Sequence, residues 1–221
     1  MKYSNDASGF VILSEYVPDI IEEVRYHTTY NFIGDKIDGY DDPIILVVLE
    51  AALALQKANE EAKKLGYAFK VYDAYRPQTA VDHFVRWAKD INDTRMKEIF
   101  YPETKKEELF EKGFIASKSG HTRGSSIDLT LFNLKTGKEV DMGGVFDNFG
   151  DVSHSSYTEG LTEEQINNRK LLHKIMTENG FKGINSEWWH FNLIDEPYPD
   201  TYFPFPIDKN RINKQKWYLC S

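Results

Sequence analysis

The stretch Tyr67-Ala68-Phe69-Lys70-Val71-Tyr72-Asp73-Ala74-Tyr75-Arg76-Pro77 changes character partway along and limits the folds open to this chain. Tyr67, Phe69, Val71 and Asp73 alternate as side chains on one face of a strand do. Pro77 then disfavours a helical Arg76 and is suited to open the next helix, whose apolar stripe is Val81, Phe84, Val85 and Ala88. On the other side, Asp42 reads as a helix cap, Pro43 as a first helical residue and Gly66 as a stop, so residues 42–65 are expected to be helical. Their first half is apolar on most sides and should be central.

Beyond Pro77 the same alternation of helix and strand continues without a fixed period. Thr104-Lys105-Lys106-Glu107 reads as a capping box and Gly113 as a stop, giving a solvated surface helix. Residues 127–132 form a β-branched and aromatic run that turns at Asn133-Leu134-Lys135-Thr136-Gly137 and returns through Glu139-Val140. The loop 141–158, rich in Gly, Asp and Ser, is long enough to suggest function. Thr162-Glu163-Glu164-Gln165 is a second capping box, opening a helix that ends at Asn179-Gly180, and residues 187–193 are the last strand candidate. The segment 197–206 alternates Pro with aromatics and is expected to wrap the surface in extended form. Irregular alternation of this kind points to an α+β layer architecture, and with no linker-like stretch the 221 residues read as one domain, 1–221.

The composition narrows the function classes. A formal charge of −8 argues against nucleic acid held through phosphate contacts, which needs a clustered positive surface. No run approaches the roughly 20 apolar residues of a membrane span, and the first residues lack the apolar core of a secretory signal, so a cytoplasmic protein is expected. Cys220 is the only cysteine, which excludes an internal disulfide and a cysteine-based zinc site. Any metal must be held by histidine and carboxylate.

Two segments carry the residues for such a site: Ser119-Gly120-His121-Thr122-Arg123-Gly124-Ser125-Ser126-Ile127-Asp128 and Glu187-Trp188-Trp189-His190. A catalytic zinc takes three protein ligands and keeps one position open. Two histidines and one aspartate meet that count. Gly120 and Gly124 allow a sharp turn around His121, so that Asp128, on the strand that follows, can point back toward the imidazole. Asp128, Thr130 and Phe132 share one face of that strand, opposite Ile127, Leu129 and Leu131. Strict alternation would put Glu187 and His190 on opposite faces, so both serve one site only if the chain bends near Trp188. Of the other histidines, His83 and His173 read as packed or part-exposed helix residues, His27 as a candidate for the pocket wall, and His154 as a loop or lid residue.

Taken together, the two segments resemble the D-Ala-D-Ala dipeptidases of the vancomycin-resistance type, in a zinc peptidase family that includes D,D-carboxypeptidases. The resemblance extends to Arg25-Tyr26-His27-Thr28-Thr29-Tyr30-Asn31-Phe32, to Asp73-Ala74-Tyr75-Arg76-Pro77 and to Asp141-Met142-Gly143. Ser126 departs from it, standing where the family pattern usually has Ala. The resemblance implies one α+β domain of the hedgehog/D,D-peptidase type, an antiparallel sheet with flanking helices. It further implies one zinc per chain on His121, Asp128 and His190, Glu187 as the base and Arg76 as the stabiliser of the tetrahedral intermediate. Asp147 and Tyr26 match positions that meet the substrate ammonium, and Ser119 matches a hydrogen-bonding contact; Asp73, three residues before Arg76, either supports it from behind or forms only a local ion pair with it.

Three functions fit these expectations: hydrolysis of the D-Ala-D-Ala dipeptide, a carboxypeptidase or endopeptidase acting on cell-wall peptides, and a non-catalytic zinc-stabilised binding module. Glu187 and Arg76 speak against the last, since neither is needed merely to hold zinc. Antibiotic resistance, dipeptide scavenging and wall recycling would all use the same site, and the sequence leaves them, like the oligomeric state, open.

Overall fold

Short strands and α-helices follow one another irregularly in the computed structural model, which describes residues 2–212; Cys220 lies outside the described residues. In chain order the strands are β1 (Lys2–Tyr3), β2 (Phe10–Ile12), β3 (Ile21–Glu22), β4 (Leu46–Val48), β5 (Tyr67–Asp73), β6 (Ser126–Asn133), β7 (Lys138–Glu139), β8 (Phe181–Gly183), β9 (His190–Leu193) and β10 (Thr201–Tyr202). The helices are α1 (Leu49–Lys64), α2 (Gln78–Lys89), α3 (Lys97–Phe100) and α4 (Glu163–Glu178). Among the described residues no helix is long and apolar enough to cross a membrane.

The main sheet runs β3-β5-β6-β9-β8, with β7 paired to β6. Its centre is antiparallel as expected, but its edge is not: β3 pairs β5 in parallel, with Ile21 opposite Lys70. The chain passes through β4 and α1 between those strands, and a crossover of that kind returns it in the same direction. Ile127, Leu129 and Leu131 are fully buried, and so are Asp128 and Thr130 on the other side of β6, so both faces of the central strand are covered.

The helix expected over residues 42–65 forms only from Leu49 onward. Leu46–Val48 is instead strand β4, antiparallel to β2 with Val47 opposite Val11. A short run that is apolar all round suits a fully buried strand as well as a helix, and here β-branched Val47 and Val48 and the partner strand decide it. From Leu49 a stripe of Ala51, Ala52, Leu55, Ala58 and Ala62 is buried. These small side chains let α1 lie close on β5, where the Phe69 N–H donates to buried Asn59 Oδ1 at 3.0 Å. Helix α4 begins at the expected capping box, Thr162 and Gln165 bonding reciprocally.

Two further expectations fail on burial. Residues 104–113 form no α-helix, only a turn of 3-10 helix at Lys106–Glu108. Thr104 does not cap it: its hydroxyl donates to Phe149 O at 2.5 Å. Lys106 is not solvated either, since its ammonium lies over the Trp87 ring and donates to Asp90 O and Asp93 O at 2.6 and 2.8 Å. The segment 197–206 is extended, but Phe203 and Phe205 enter the core beside Phe10 and Tyr75 rather than lying on the surface.

Candidate metal centre

Register across the sheet assembles the site before any loop contributes. Asp128 on β6 lies opposite Asp73 on β5 and opposite His190 on β9, so one row across three strands carries all three. A register shift in β5 between Val71 and Asp73 brings Asp73 into that row. His121 comes from a 3-10 turn, Gly120–Arg123, with Ser119 Oγ accepting from the His121 N–H at 3.3 Å. The turn closes at Gly124, whose φ of 80° favours glycine, and a Cβ there would meet Phe10 Cε1 at 2.3 Å. The bend required near Trp188 is present: β9 starts only at His190, and Trp188 and Trp189 form a turn.

His121, Asp128 and His190 are all buried and offer donor atoms within 4.8 Å of one another. His121 Nδ1 lies 2.7 Å from Ala74 O. A carbonyl only accepts, so Nδ1 carries the proton and the neutral ring's lone pair is on Nε2. That nitrogen stands 3.0 Å from His190 Nδ1 and 3.3 Å from Asp128 Oδ2, while Asp128 Oδ1 is 3.0 Å from His190 Nδ1. Two imidazole nitrogens and a carboxylate converging in a buried space are the donor set of a three-ligand metal site, and the residues fit one. Burial pushes the Asp128 carboxyl up, but the two imidazoles outweigh it and hold its pKa below the usual range.

Glu187 approaches from the turn before β9, its Oε2 3.6 Å from His190 Nδ1. A third of its side chain, 34%, is open, and it borders a cavity of about 420 Å³ that His121, Asp128, His190, Arg76, Tyr26 and Asp147 also line. Desolvation by the cavity wall raises its pKa above the ordinary glutamate value. Trp189 forms part of that wall and Trp188 packs edge-on behind it.

Arg76 lines the same cavity beside Asp128. Its Nη2 and Nε lie 2.8 and 2.9 Å from Asp73 Oδ2, and Nη2 is 3.5 Å from both Asp128 Oδ2 and the Tyr26 hydroxyl. Asp73 is fully buried and accepts at its other oxygen from the Tyr40 hydroxyl at 2.6 Å. Tyr26 in turn donates to Asp147 Oδ2 at 2.9 Å. Burial drives the Asp147 carboxyl well above its ordinary pKa, against the pull of Arg76. Ser119, with its Oγ at the head of the His121 turn, also lines the cavity.

All nine expected site residues therefore fall in one region: eight line the cavity, and Asp73 stands behind Arg76. His27 is not part of it, being bonded through Nδ1 to Tyr40 O at 2.9 Å. Three neighbours were not anticipated. Tyr40, 33 residues from Asp73, carried no local signal. Ser126 and Asn192 did: each lies two residues from a ligand candidate on a strand, where period-two alternation puts side chains on the same face.

A family model described as D-Ala-D-Ala dipeptidase matches residues 6–208. The chain is similar to the D-alanyl-D-alanine dipeptidase of Enterococcus faecalis, 44% identical over 200 residues that cover 90% of this chain and 98% of the relative. It is 42% identical to the Enterococcus faecium protein of that name, at the same coverage. The Escherichia coli dipeptidase is 34% identical, over 86% of each chain.

Proposed function

The chain belongs to the D-Ala-D-Ala dipeptidase family and is a peptidase, and from that premise we propose that it hydrolyses the free D-Ala-D-Ala dipeptide with one zinc ion held by His121, Asp128 and His190. The observation that carries this reading is the convergence of two imidazole nitrogens, one carboxylate and the Glu187 carboxyl in one cavity, with Arg76 beside Asp128. Zinc, when bound, supplies Lewis acidity toward water and the scissile carbonyl.

The protein's own residues do the rest. Glu187 takes a proton from the attacking water and delivers it to the leaving amine; burial raises its pKa, which strengthens it as a base. Arg76, positioned by Asp73, faces the oxygen on which negative charge develops, and its fixed fork holds that geometry better than a lysine could. Asp147 and Tyr26 receive the substrate ammonium. Ser119 offers a hydroxyl proton to the bound dipeptide, since its oxygen already accepts from the His121 N–H.

The test is hydrolysis of D-Ala-D-Ala by the purified chain before chelation, after it, and after return of one equivalent of zinc. Turnover lost and restored in step with zinc is expected, and His121→Ala, Asp128→Ala and His190→Ala should each empty the site. Turnover indifferent to the chelator, or full zinc occupancy in all three variants, would remove the assignment.

A further inference from the structure

Asp128 and His190 are not the only facing pair on β6 and β9. Two residues along, Ser126 lies opposite Asn192, and alternation puts both on the side of the sheet that carries the ligand candidates. The Ser126 hydroxyl is buried and lies 2.7 Å from Asn192 Oδ1. The same Oδ1 is 3.2 Å from His190 Nε2, the ring nitrogen turned away from His121 and Asp128. One amide oxygen thus faces two potential donors.

Resting on the zinc reading above, we propose that Ser126 and Asn192 act together as positioning residues that hold His190 in its Nε2–H tautomer, leaving Nδ1 to face the metal. An amide oxygen only accepts, so the ring nitrogen it meets must carry the proton. Were the amide turned about, its NH2 would meet Nε2 instead, and that nitrogen would have to accept. The proton would then sit on Nδ1, in the space His121 Nε2 and Asp128 Oδ1 share at 3.0 Å, where it opposes a cation. In this orientation Ser126 donates to Oδ1, a second hydrogen bond that restrains the amide. Alanine at 126 could not make it. Gly120 keeps the room: a Cβ there would lie 3.1 Å from Ser126 Oγ and 3.7 Å from Asn192 Oδ1. His121 reaches the same end through Ala74 O, so the two imidazoles are set by two different acceptors. Outer partners of this kind typically change metal affinity 10- to 100-fold.

A bond that served only to pair the strands would predict something different, and zinc competition on the full chain separates the two. Asn192→Leu, which removes the acceptor, should weaken zinc about 10- to 100-fold, whereas Asn192→Asp, which still accepts, should stay close to the parent. In the zinc-loaded parent the His190 Nε2 proton should be a slowly exchanging resonance, and Ser126→Ala should speed its exchange. Unchanged zinc affinity in folded Asn192→Leu, or no protected Nε2 proton in the parent, overturns the proposal. If Asn192→Leu does not fold, Ser126→Ala decides, and unchanged affinity together with unchanged exchange rejects it. His190→Ala is the control on the reading beneath: should it retain zinc, the ligand assignment has failed, not the positioning.

Discussion

The Tyr26 hydroxyl donates to Asp147 Oδ2 at 2.9 Å across 121 residues of chain. Asp147 is also the one non-glycine residue at positive φ, 63°, among the described residues. Such a conformation persists where surrounding structure over-determines it, and here it turns an acid into the cavity. Tyr26→Phe keeps the ring, packed against Phe84 and Phe32, and removes only the hydroxyl. A hydrogen bond to a charged group is worth roughly 1.5–3 kcal/mol, so kcat/KM on the dipeptide should fall at least about tenfold. Zinc content should not change. A variant with parental kcat/KM would show that Tyr26 has no part in binding.

Asp147 should cost the metal-free protein stability. Its folded pKa is raised, by burial first, so the folded state binds its proton more tightly than the unfolded chain does. The contribution is present below the unfolded carboxylate value, about 4, and is lost as pH rises toward the folded pKa. Asn also tolerates positive φ, so Asp147→Asn changes charge and little else. With chelator present, Tm of the variant should match the parent near pH 4 and exceed it increasingly toward neutrality. A gap that does not grow with pH would contradict the burial argument.

Gly124 tests the turn that carries His121. Gly124→Ala imposes a left-handed alanine and drives its Cβ toward Phe10 at 2.3 Å and Val48 at 2.9 Å, both in the core. Left-handed strain costs about 1–2 kcal/mol and overpacking about 1–3, so a loss of at least about 2 kcal/mol in denaturant unfolding is expected. A loss below about 0.5 kcal/mol would mean that the neighbouring β2 and β4 yield easily.

The two segments that pair His121 with Asp128 and Glu187 with His190 stood out in the sequence only in combination, and the remaining candidates, Arg76, Asp147 and Tyr26 among them, came from the family resemblance. The strand 67–73 was plain, because its alternation ends at a proline-marked break. What escaped depends on partners distant in sequence. The strand at Leu46–Val48 exists because β2 lies beside it, and no local pattern tells a buried strand of three residues from the first turn of a helix. Lys106 looked solvated among glutamates, but two carbonyls and an indole ring bury it. The parallel edge at β3 likewise follows from the path of the chain between elements, not from either strand's residues.

Glu187 is assigned proton transfer without ligation. Its Oε2 lies 3.6 Å from His190 Nδ1, while the donor atoms of the three candidate ligands form their own buried group. Glu187→Gln preserves shape and removes the base. Turnover should drop at least about 10²-fold, with zinc stoichiometry and fold unchanged. A variant that instead loses its zinc would make Glu187 a ligand, and one with near-parental turnover would end its role as base.

The remaining prediction divides a dipeptidase from a carboxypeptidase. Asp147 is buried, with Tyr26 as its side-chain donor, and burial keeps its carboxyl pKa high until a cation arrives. In the proposed reaction the substrate ammonium supplies that cation. An acylated nitrogen brings no charge, so the acid stays protonated beside it and the charge-assisted pair with an ammonium is not made. A hydrogen bond to a charged group is worth roughly 1.5–3 kcal/mol, which corresponds to about 10- to 10²-fold. Free D-Ala-D-Ala should therefore be cut at least about tenfold more efficiently in kcat/KM than N-acetyl-D-Ala-D-Ala. Asp147→Asn should narrow the gap by slowing the free dipeptide while retaining zinc. Comparable rates on the two substrates in the parent would mean that the ammonium is not read at Asp147, and the carboxypeptidase reading would then be the better one.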